Sequence, residues 1–286
     1  METTTAVVKI LPLALALIML GLGLSLKVED FTRIARFPKP VLLGLAAQML
    51  LLPFAALALC KLFNLSTELS IGMMILAASP GGTTANIFSH LSHGDVALNI
   101  TLTAINSVLA AFTLPLIVGL SISYFLGEQK DIGLQFTKVI EVFAIVLVPV
   151  IIGMFISAKK PALAKKADRP FRIFSLLVLL AIVAGAAIRE KENLMIYGQE
   201  VGAAVLAFNL ISLAVGYVLP LIFKLPRKQA IAIAMEIGVH NGTLAMFIAL
   251  SVLGNFTFAM PAAIYSILMM ITAGLFALIL KKREMT

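Results

Sequence analysis

A single carboxylate, Glu236, lies within an apolar stretch, residues 232–250, that is long enough to cross a bilayer. An unpaired carboxylate in hydrocarbon costs about 2.5–3.5 kcal/mol on insertion scales, so such a residue usually has a partner, most simply a cation. The sequence GVHNG follows at residues 238–242 and predicts an interruption of the helix. Unwound backbone at membrane depth survives only where it is buried in protein or lines a cavity.

The composition of the whole chain is that of a membrane protein. Hydrophobic residues make up 61% of the 286 residues and charged residues 13%, whereas soluble domains have about 45–50% and about 25%. At about 20 residues per span there is room for about nine transmembrane helices and none for a separate soluble domain. We therefore predict an all-α membrane protein in which residues 1–286 form a single transmembrane unit. The net charge of +8 lies in short connections between spans, which argues against nucleic acid as a partner.

The distribution of basic residues predicts an orientation. The nine predicted spans cover about 8–26, 39–61, 70–92, 95–126, 134–157, 171–188, 199–223, 229–253 and 257–280. Lysines and arginines concentrate in the connections after the first, fifth and seventh spans and in the final KKREMT. Because these residues favour the cytoplasmic side, we expect a multi-pass protein of the inner or plasma membrane, with the N-terminus outside and the C-terminus in the cytoplasm.

Two segments of the chain resemble each other. LSTELSIGMMILAASPGGTTA (65–85) and LPRKQAIAIAMEIGVHNGTLA (225–245) both begin with Leu, end in a Gly-Thr-X-Ala pattern and carry a helix-breaking centre. They belong to the third and eighth spans, so an odd number of crossings makes them enter the membrane from opposite sides. This pattern predicts an inverted repeat whose two broken helices cross at the midplane, as in secondary transporters.

The ends of interrupted helices carry opposite polarity. A half-helix that starts after a break presents N–H groups and favours anions, and one that ends at a break presents carbonyl oxygens, which suit small hard cations. Half-helices beginning near Thr83 and Asn241 would therefore point their N-termini at the centre. Glu236 and the carbonyls of Ile237 and Val239 would face a cation.

The fourth span carries a polar face. Asn99, Thr103 and Asn106 lie at i, i+4 and i+7 and so share one side of a helix. Such a face is also typical of hydrogen bonding between membrane helices, which contributes about 1 kcal/mol per bond. We keep that interpretation for Asn106, as well as for Thr101 and Asn209.

Four stretches together resemble the bile acid:sodium symporter family and its bacterial homologues of the apical sodium-dependent bile acid transporter: GLGLSLKVEDF, AQMLLLP, SPGGTTANIFSHLSHGDVALNITLT and EIGVHNG. The resemblance covers essentially the whole chain and implies the nine-helix form of the fold. It implies a core domain, about 39–126 and 199–280, that contains the crossing broken pair. A panel domain, about 8–26, 134–157 and 171–188, would rock against this core.

The resemblance implies a function and a set of ligands. The chain would be a sodium-coupled symporter of an organic anion working by alternating access in the lipid bilayer, not an enzyme, with Na⁺ as coupling ion and no other cofactor. The implied first sodium site comprises Ala85, Asn86, Asn99, Thr103 and Glu236, with Ala85 contributing only its carbonyl. The implied second site comprises Gln48, Glu236, Ile237, Val239 and His240. The implied contacts of the anion are Thr83, Asn241 and Gly242.

His240 departs from the family pattern, which has Gln at this position. Sodium prefers oxygen ligands, and an imidazole offers only nitrogen. Three interpretations stay open at this point: the backbone carbonyl of His240 replaces the missing ligand, the ring merely packs against or bonds a neighbour, or the ring couples a proton to transport.

The sequence also allows alternative functions and further candidate sites. A sodium/proton antiporter or a proton-coupled anion carrier is the main alternative, and the absence of HEXXH and GXSXG motifs argues against an intramembrane enzyme. His90 and His93 are expected in a solvated connection, and Cys60 is expected to be an ordinary apolar helix position. The cargo stays open between a bile-acid-like anion, a steroid conjugate and a small carboxylate such as pantoate.

Overall fold

The computed structural model describes residues 35–127, 136–167 and 191–282, together with scattered positions within 16–32 and 170–177. These residues form helices joined by short connections, including a short helix at 161–167. In chain order the longer helices are α1 (Pro38–Leu62), α2 (Thr67–Ala78), α3 (Thr83–Leu91), α4 (Val96–Leu126), α5 (Phe136–Lys159), α6 (Lys191–Ile222), α7 (Arg227–Gly238), α8 (Gly242–Phe247) and α9 (Met260–Lys282).

Four helices of the described ranges are long and apolar enough to cross a membrane. They cover Pro38–Leu62, Val96–Leu126, Ile196–Ile222 and Thr257–Leu280. Their outward faces carry exposed apolar side chains, among them Leu42, Phe54, Phe112, Leu116, Leu210 and Leu278. Such continuous apolar surface is unfavourable in water and matches the hydrocarbon of a bilayer, so the chain has the architecture of an integral membrane protein.

The predicted all-helical class is confirmed, whereas the helix count is not tested. The first predicted span, 8–26, and the sixth, 171–188, lie mostly outside the described residues. The nine-helix count, the inverted repeat and the division into core and panel domains therefore stay predictions.

Both predicted interruptions are present. The third predicted span consists of α2 and α3, separated at the sequence SPGG, where Pro80 lacks the N–H that a continuing helix would need. The eighth predicted span consists of α7 and α8, and α8 continues as a π turn at Ile248–Val252. Asn241 caps α8, because its Oδ1 accepts a hydrogen bond from the backbone N–H of Leu244 at 3.1 Å.

Helix α6 begins earlier than its sequence suggests. The charged segment 189–200 is expected from its polarity to be a connection, whereas the helix starts at Lys191. Lys and Glu are good helix formers. The charges in this segment therefore indicate polarity, not an absence of helix.

Helix α1 contains a π turn, Ala47–Leu51, that the sequence pattern does not reveal. Pro53 has no N–H, so one α-helical hydrogen bond cannot form just beyond this turn. The N–H of Leu52 bonds to the carbonyl of Ala47, five residues earlier. Single π turns often accompany functional residues, and this one holds the buried Gln48.

Helix α7 lies at the centre of the described helices. Its residues 230–238 are all buried, and it packs against α6, α4 and α3. The approach of α6 is closest at Gly216, where a Cβ atom would collide with the backbone of Ala234. The stretch that contains Glu236 is thus enclosed by protein, as its charge requires.

We expect Gly216→Ala to destabilise the protein by about 1–3 kcal/mol, because the added methyl group has no room against α7. Gly202→Ala is the matched control on the same helix, since a Cβ there meets nothing within 4 Å. Thermal unfolding in detergent should show a lower midpoint for the first variant and an equal or higher midpoint for the second. Equal midpoints for both would contradict the close approach of α6 and α7.

Candidate functional site

The two interruptions meet and satisfy each other's backbone. Gly81 and His240 form an isolated antiparallel β-bridge. The N–H of Gly82 donates to the carbonyl of Val239 at 2.7 Å, and the N–H of Asn241 donates to the carbonyl of Pro80 at 2.8 Å. Backbone groups left over by the breaks therefore find partners without water.

The carboxylate of Glu236 is held by neutral donors. Its side chain is 1% exposed. The hydroxyl of Thr103 donates to Oε2 at 2.6 Å, and the amide of Asn106 donates to Oε1 at 3.4 Å. The N–H of Gly81 is a third donor, and a Cβ at this glycine would collide with the carboxylate.

No cationic side chain neutralises Glu236 among the described residues, since all its hydrogen bonds come from neutral groups. A buried charge is costly unless it is paired, and neutral hydrogen bonds compensate only part of that cost. The site is therefore suited to a cation that arrives from outside the protein.

The residues of the implied first sodium site come from α3, α4 and α7. Thr103 contacts Glu236 directly, whereas Asn99 donates through Nδ2 to the carbonyl of Ala232 at 2.7 Å. This bond leaves Oδ1 of Asn99 buried without a hydrogen-bond partner, and Oδ1 of Asn86 is in the same condition. Ala85 is fully buried on α3.

The residues of the implied second sodium site surround the bridge between the two breaks. The Nε2 group of Gln48 donates to the carbonyl of Ser79 at 2.8 Å and lies 3.2 Å from Nε2 of His240. Its Oε1 atom is buried and has no hydrogen-bond partner. Ile237 is buried in the last turn of α7, and the carbonyl of Val239 already accepts the bond from the α3 side.

The ring of His240 is buried in a polar chain that reaches α9. Its Nδ1 atom lies 2.9 Å from the hydroxyl of Tyr265, and that hydroxyl donates to the carbonyl of Gly238 at 2.8 Å. Asn209 donates to the same carbonyl at 2.9 Å and accepts a short bond from Thr272. The C-terminal end of α7 is thereby tied to α6 and α9.

The three implied anion contacts lie at helix N-termini. Thr83 is the first residue of α3 and is half-buried. Asn241 is also half-buried and uses Oδ1 as the cap of α8. The N–H of Gly242 donates to the carbonyl of His240 at 3.0 Å, so this amide already has a partner.

The predicted hydrogen bonds between helices are present for two of three residues. Asn106 bonds to the carboxylate of Glu236 and Asn209 to the carbonyl of Gly238, both on α7. The prediction is wrong for Thr101, whose hydroxyl donates to the carbonyl of Ala97 one turn earlier in the same helix. Tyr265 was not singled out, although a hydroxyl within an apolar span requires a partner. His90 and His93 are both exposed in the connection between α3 and α4.

Known proteins resemble the chain in sequence. Residues 12–197 match a family described as the Sodium Bile acid symporter family. The P3 protein of Mus musculus is 32% identical over 225 residues, which are 78% of this chain and 47% of that protein. The uncharacterized sodium-dependent transporter YocS of Bacillus subtilis is 28% identical over 243 residues, 85% of this chain and 74% of that protein. The hepatic sodium/bile acid cotransporter of Rattus norvegicus is 29% identical over 206 residues, 71% of this chain and 57% of that protein.

These matches differ in what they cover. The chain spans about half the length of the P3 protein that it matches. The matched family segment contains Gln48 and the polar residues of α3 and α4, whereas Glu236 and His240 lie beyond its end. The family match therefore does not reach the α7–α8 break, and the contacts described for Glu236 and His240 come from the structure alone.

We expect Thr103→Val to lower the free energy of unfolding by about 1–3 kcal/mol in sodium-free buffer, because the buried carboxylate loses a donor. Thr101→Val is the matched control: Thr101 lies on the same helix, and its hydroxyl bonds only to the backbone carbonyl of Ala97. Denaturation in detergent measures both variants. A loss at Thr101 equal to that at Thr103 would contradict the role of Thr103 as a donor to Glu236.

Proposed function

Because the chain belongs to the sodium bile acid symporter family, we propose that it is a sodium-coupled symporter of an organic anion. Several of its relatives are named as transporters or cotransporters. Sodium and the anion are both cargo in this proposal. The anion is bile-acid-like, a steroid conjugate or a small carboxylate such as pantoate.

One observation carries the proposal: a buried carboxylate without a cationic partner occurs together with buried amide oxygens that lack hydrogen bonds. These oxygens belong to Gln48, Asn86 and Asn99. Buried polar atoms are almost always satisfied in proteins, so three unsatisfied amide oxygens on the helices that meet at the two breaks, in a protein with an unneutralised buried acid, point to a cation. Carboxylate, amide and carbonyl oxygens are ligands of hard cations, and sodium is the hard cation named for this family.

We assign the cation ligands to two sites that share Glu236. The first comprises the carbonyl of Ala85 with Asn86, Asn99 and Thr103. The second comprises Gln48 and the carbonyls of Ile237 and Val239, with His240 beside them. Sodium at either site would offset the charge of Glu236, which the neutral donors on α4 and at Gly81 leave uncompensated.

The anion would bind at the N-termini of α3 and α8. Thr83 and Asn241 are half-buried there, and helix N-termini favour negative charge. Because both interruptions share backbone hydrogen bonds, sodium bound beside Glu236 would stiffen both N-termini at once. Sodium and anion would then strengthen each other's binding by equal factors, which is the condition for coupled transport.

The transport cycle and the orientation follow the same proposal. The core, about 39–126 and 199–280, would move against the panel helices by alternating access. The N-terminus would face outside and the C-terminus the cytoplasm, in line with the basic connections.

Glu236→Gln should abolish stabilisation by sodium, because the amide keeps the shape of the carboxylate and removes its charge. Thermal unfolding at increasing NaCl, with choline chloride to hold ionic strength constant, measures this effect. Glu68→Gln is the matched control, since Glu68 is exposed in the first turn of α2. A sodium-dependent shift in Glu236→Gln equal to that of the wild type would overturn the assignment of Glu236.

Uptake into proteoliposomes tests symport itself, with taurocholate, a steroid sulfate and pantoate as candidate anions. Two sodium ions per monovalent anion would move one net charge per cycle, so an inside-negative potential of 100 mV would add about 2.3 kcal/mol of driving force. We expect sodium-dependent and potential-stimulated uptake of at least one anion. Electroneutral uptake would indicate one sodium ion per anion, and sodium/proton exchange without any anion would contradict symport.

A further inference from the structure

We propose that His240 is a positioning residue: as a neutral ring protonated on Nδ1, it orients the Gln48 amide so that Oε1 of Gln48 faces the cation. The proposal rests on the proposed sodium site and answers the question that His240 raises there. It assigns the cation ligand to an oxygen of Gln48 and not to the imidazole.

The orientation of the Gln48 amide follows from its two neighbours. The carbonyl of Ser79 can only accept, so the amide end 2.8 Å from it must be the NH₂ group. The same nitrogen lies 3.2 Å from Nε2 of His240. Since an amide nitrogen donates and does not accept, its second hydrogen points at the ring, and Nε2 of His240 must be the unprotonated acceptor.

The other side of the ring fixes the remaining proton. Nδ1 of His240 lies 2.9 Å from the hydroxyl oxygen of Tyr265. The Tyr265 proton is already directed to the carbonyl of Gly238 at 2.8 Å. Nδ1 therefore donates to Tyr265, and the chain of donors runs in one direction from Gln48 through His240 and Tyr265 to Gly238.

This chain leaves no lone pair of the ring for a cation. The lone pair on Nε2 accepts from Gln48, and Nδ1 carries the proton. Two aromatic rings also pack against the ring of His240. Its centroid lies 5.5 Å from the ring centroid of Phe208 and 5.2 Å from that of Tyr265. Both nitrogens of His240 are thus engaged within the protein.

The fixed orientation of the Gln48 amide also determines where its oxygen, Oε1, lies. A flipped amide would place Oε1 against the carbonyl of Ser79, two acceptors without a hydrogen between them. The flip is therefore excluded, and Oε1 is held in a buried position where the described residues provide no donor. An acceptor fixed in this way is prepared for a cation before the cation arrives.

A double-mutant cycle tests whether Tyr265, which bonds to the ring of His240, affects sodium binding through Gln48. The apparent sodium affinity is measured by thermal shift in NaCl for the wild type, Tyr265→Phe, Gln48→Ala and the double variant. Each single change should weaken sodium binding by about tenfold, the effect of about one hydrogen bond or ligand. The double variant should be no weaker than Gln48→Ala alone, because Tyr265 has no effect once Gln48 is gone.

Tyr217→Phe is the matched control, since Tyr217 packs edge-on against Phe276 away from this chain of hydrogen bonds. It should leave sodium affinity unchanged. Fully additive losses in the cycle would overturn the positioning role, while sodium binding by the wild type would leave the proposed function standing. No sodium-dependent shift in the wild type would remove the proposed function and this inference together.

The ring itself can be observed without any variant in the chain of donors. In protein labelled with ¹⁵N-histidine, the resonances of His240 are those that remain when the exposed His90 and His93 are both replaced by Gln, because the chain has three histidines. We expect a neutral ring protonated on Nδ1, both in choline chloride and in NaCl. A ring protonated on Nε2, or on both nitrogens, would overturn the inference even where a variant fails to fold.

Discussion

Two backbone hydrogen bonds join the interruptions of the α2–α3 and α7–α8 spans, one from Gly82 to Val239 and one from Asn241 to Pro80. They allow unwound backbone to exist at the centre of an apolar helical protein, because each break supplies the partner that the other lacks. Neither break would be stable alone at this depth. The contact also fixes where Gly81 and His240 lie relative to Glu236.

The electrostatics of the site follow from the same contact. The bridge brings the N–H of Gly81 to the carboxylate of Glu236, while α4 supplies Thr103 and Asn106 from the other side. These donors orient the carboxylate without cancelling its charge. An ion pair with Lys or Arg would neutralise Glu236 permanently. In the proposed symporter, the neutral donors would leave the carboxylate available for reversible binding of a cation.

The sequence predicted features that depend on local chemistry. Pro80 and its neighbouring glycines cannot continue a helix, and Glu236 cannot lie in lipid, so the breaks and the buried acid were accessible to simple arguments. The hydrogen bonds of the His240 ring could not be predicted in this way. The partner Tyr265 is 25 residues away along the chain and reaches the ring only through the packing of α9. The π turn at Gln48 was also hidden, since a proline in an apolar span is equally compatible with a kink. Asn106 was predictable only in part. The spacing of the residues placed it on the polar face of α4, but its bonding partner depends on how α4 packs against α7.

The π turn in α1 has a consequence for how this chain can vary in length. Such a turn holds one residue more than the α-helical turn it replaces, and each residue advances an α-helix by about 100°. The extra residue is absorbed within the turn, so deleting one residue of Ala47–Leu51 would restore regular winding and leave the lipid-facing side chains Leu42 and Phe54 on their present faces. Deleting one residue elsewhere in α1 would instead rotate one half of the helix against the other by that angle. The π turn is thus the part of α1 that can absorb a change of one residue in length, and such a change would be felt mainly at Gln48 itself.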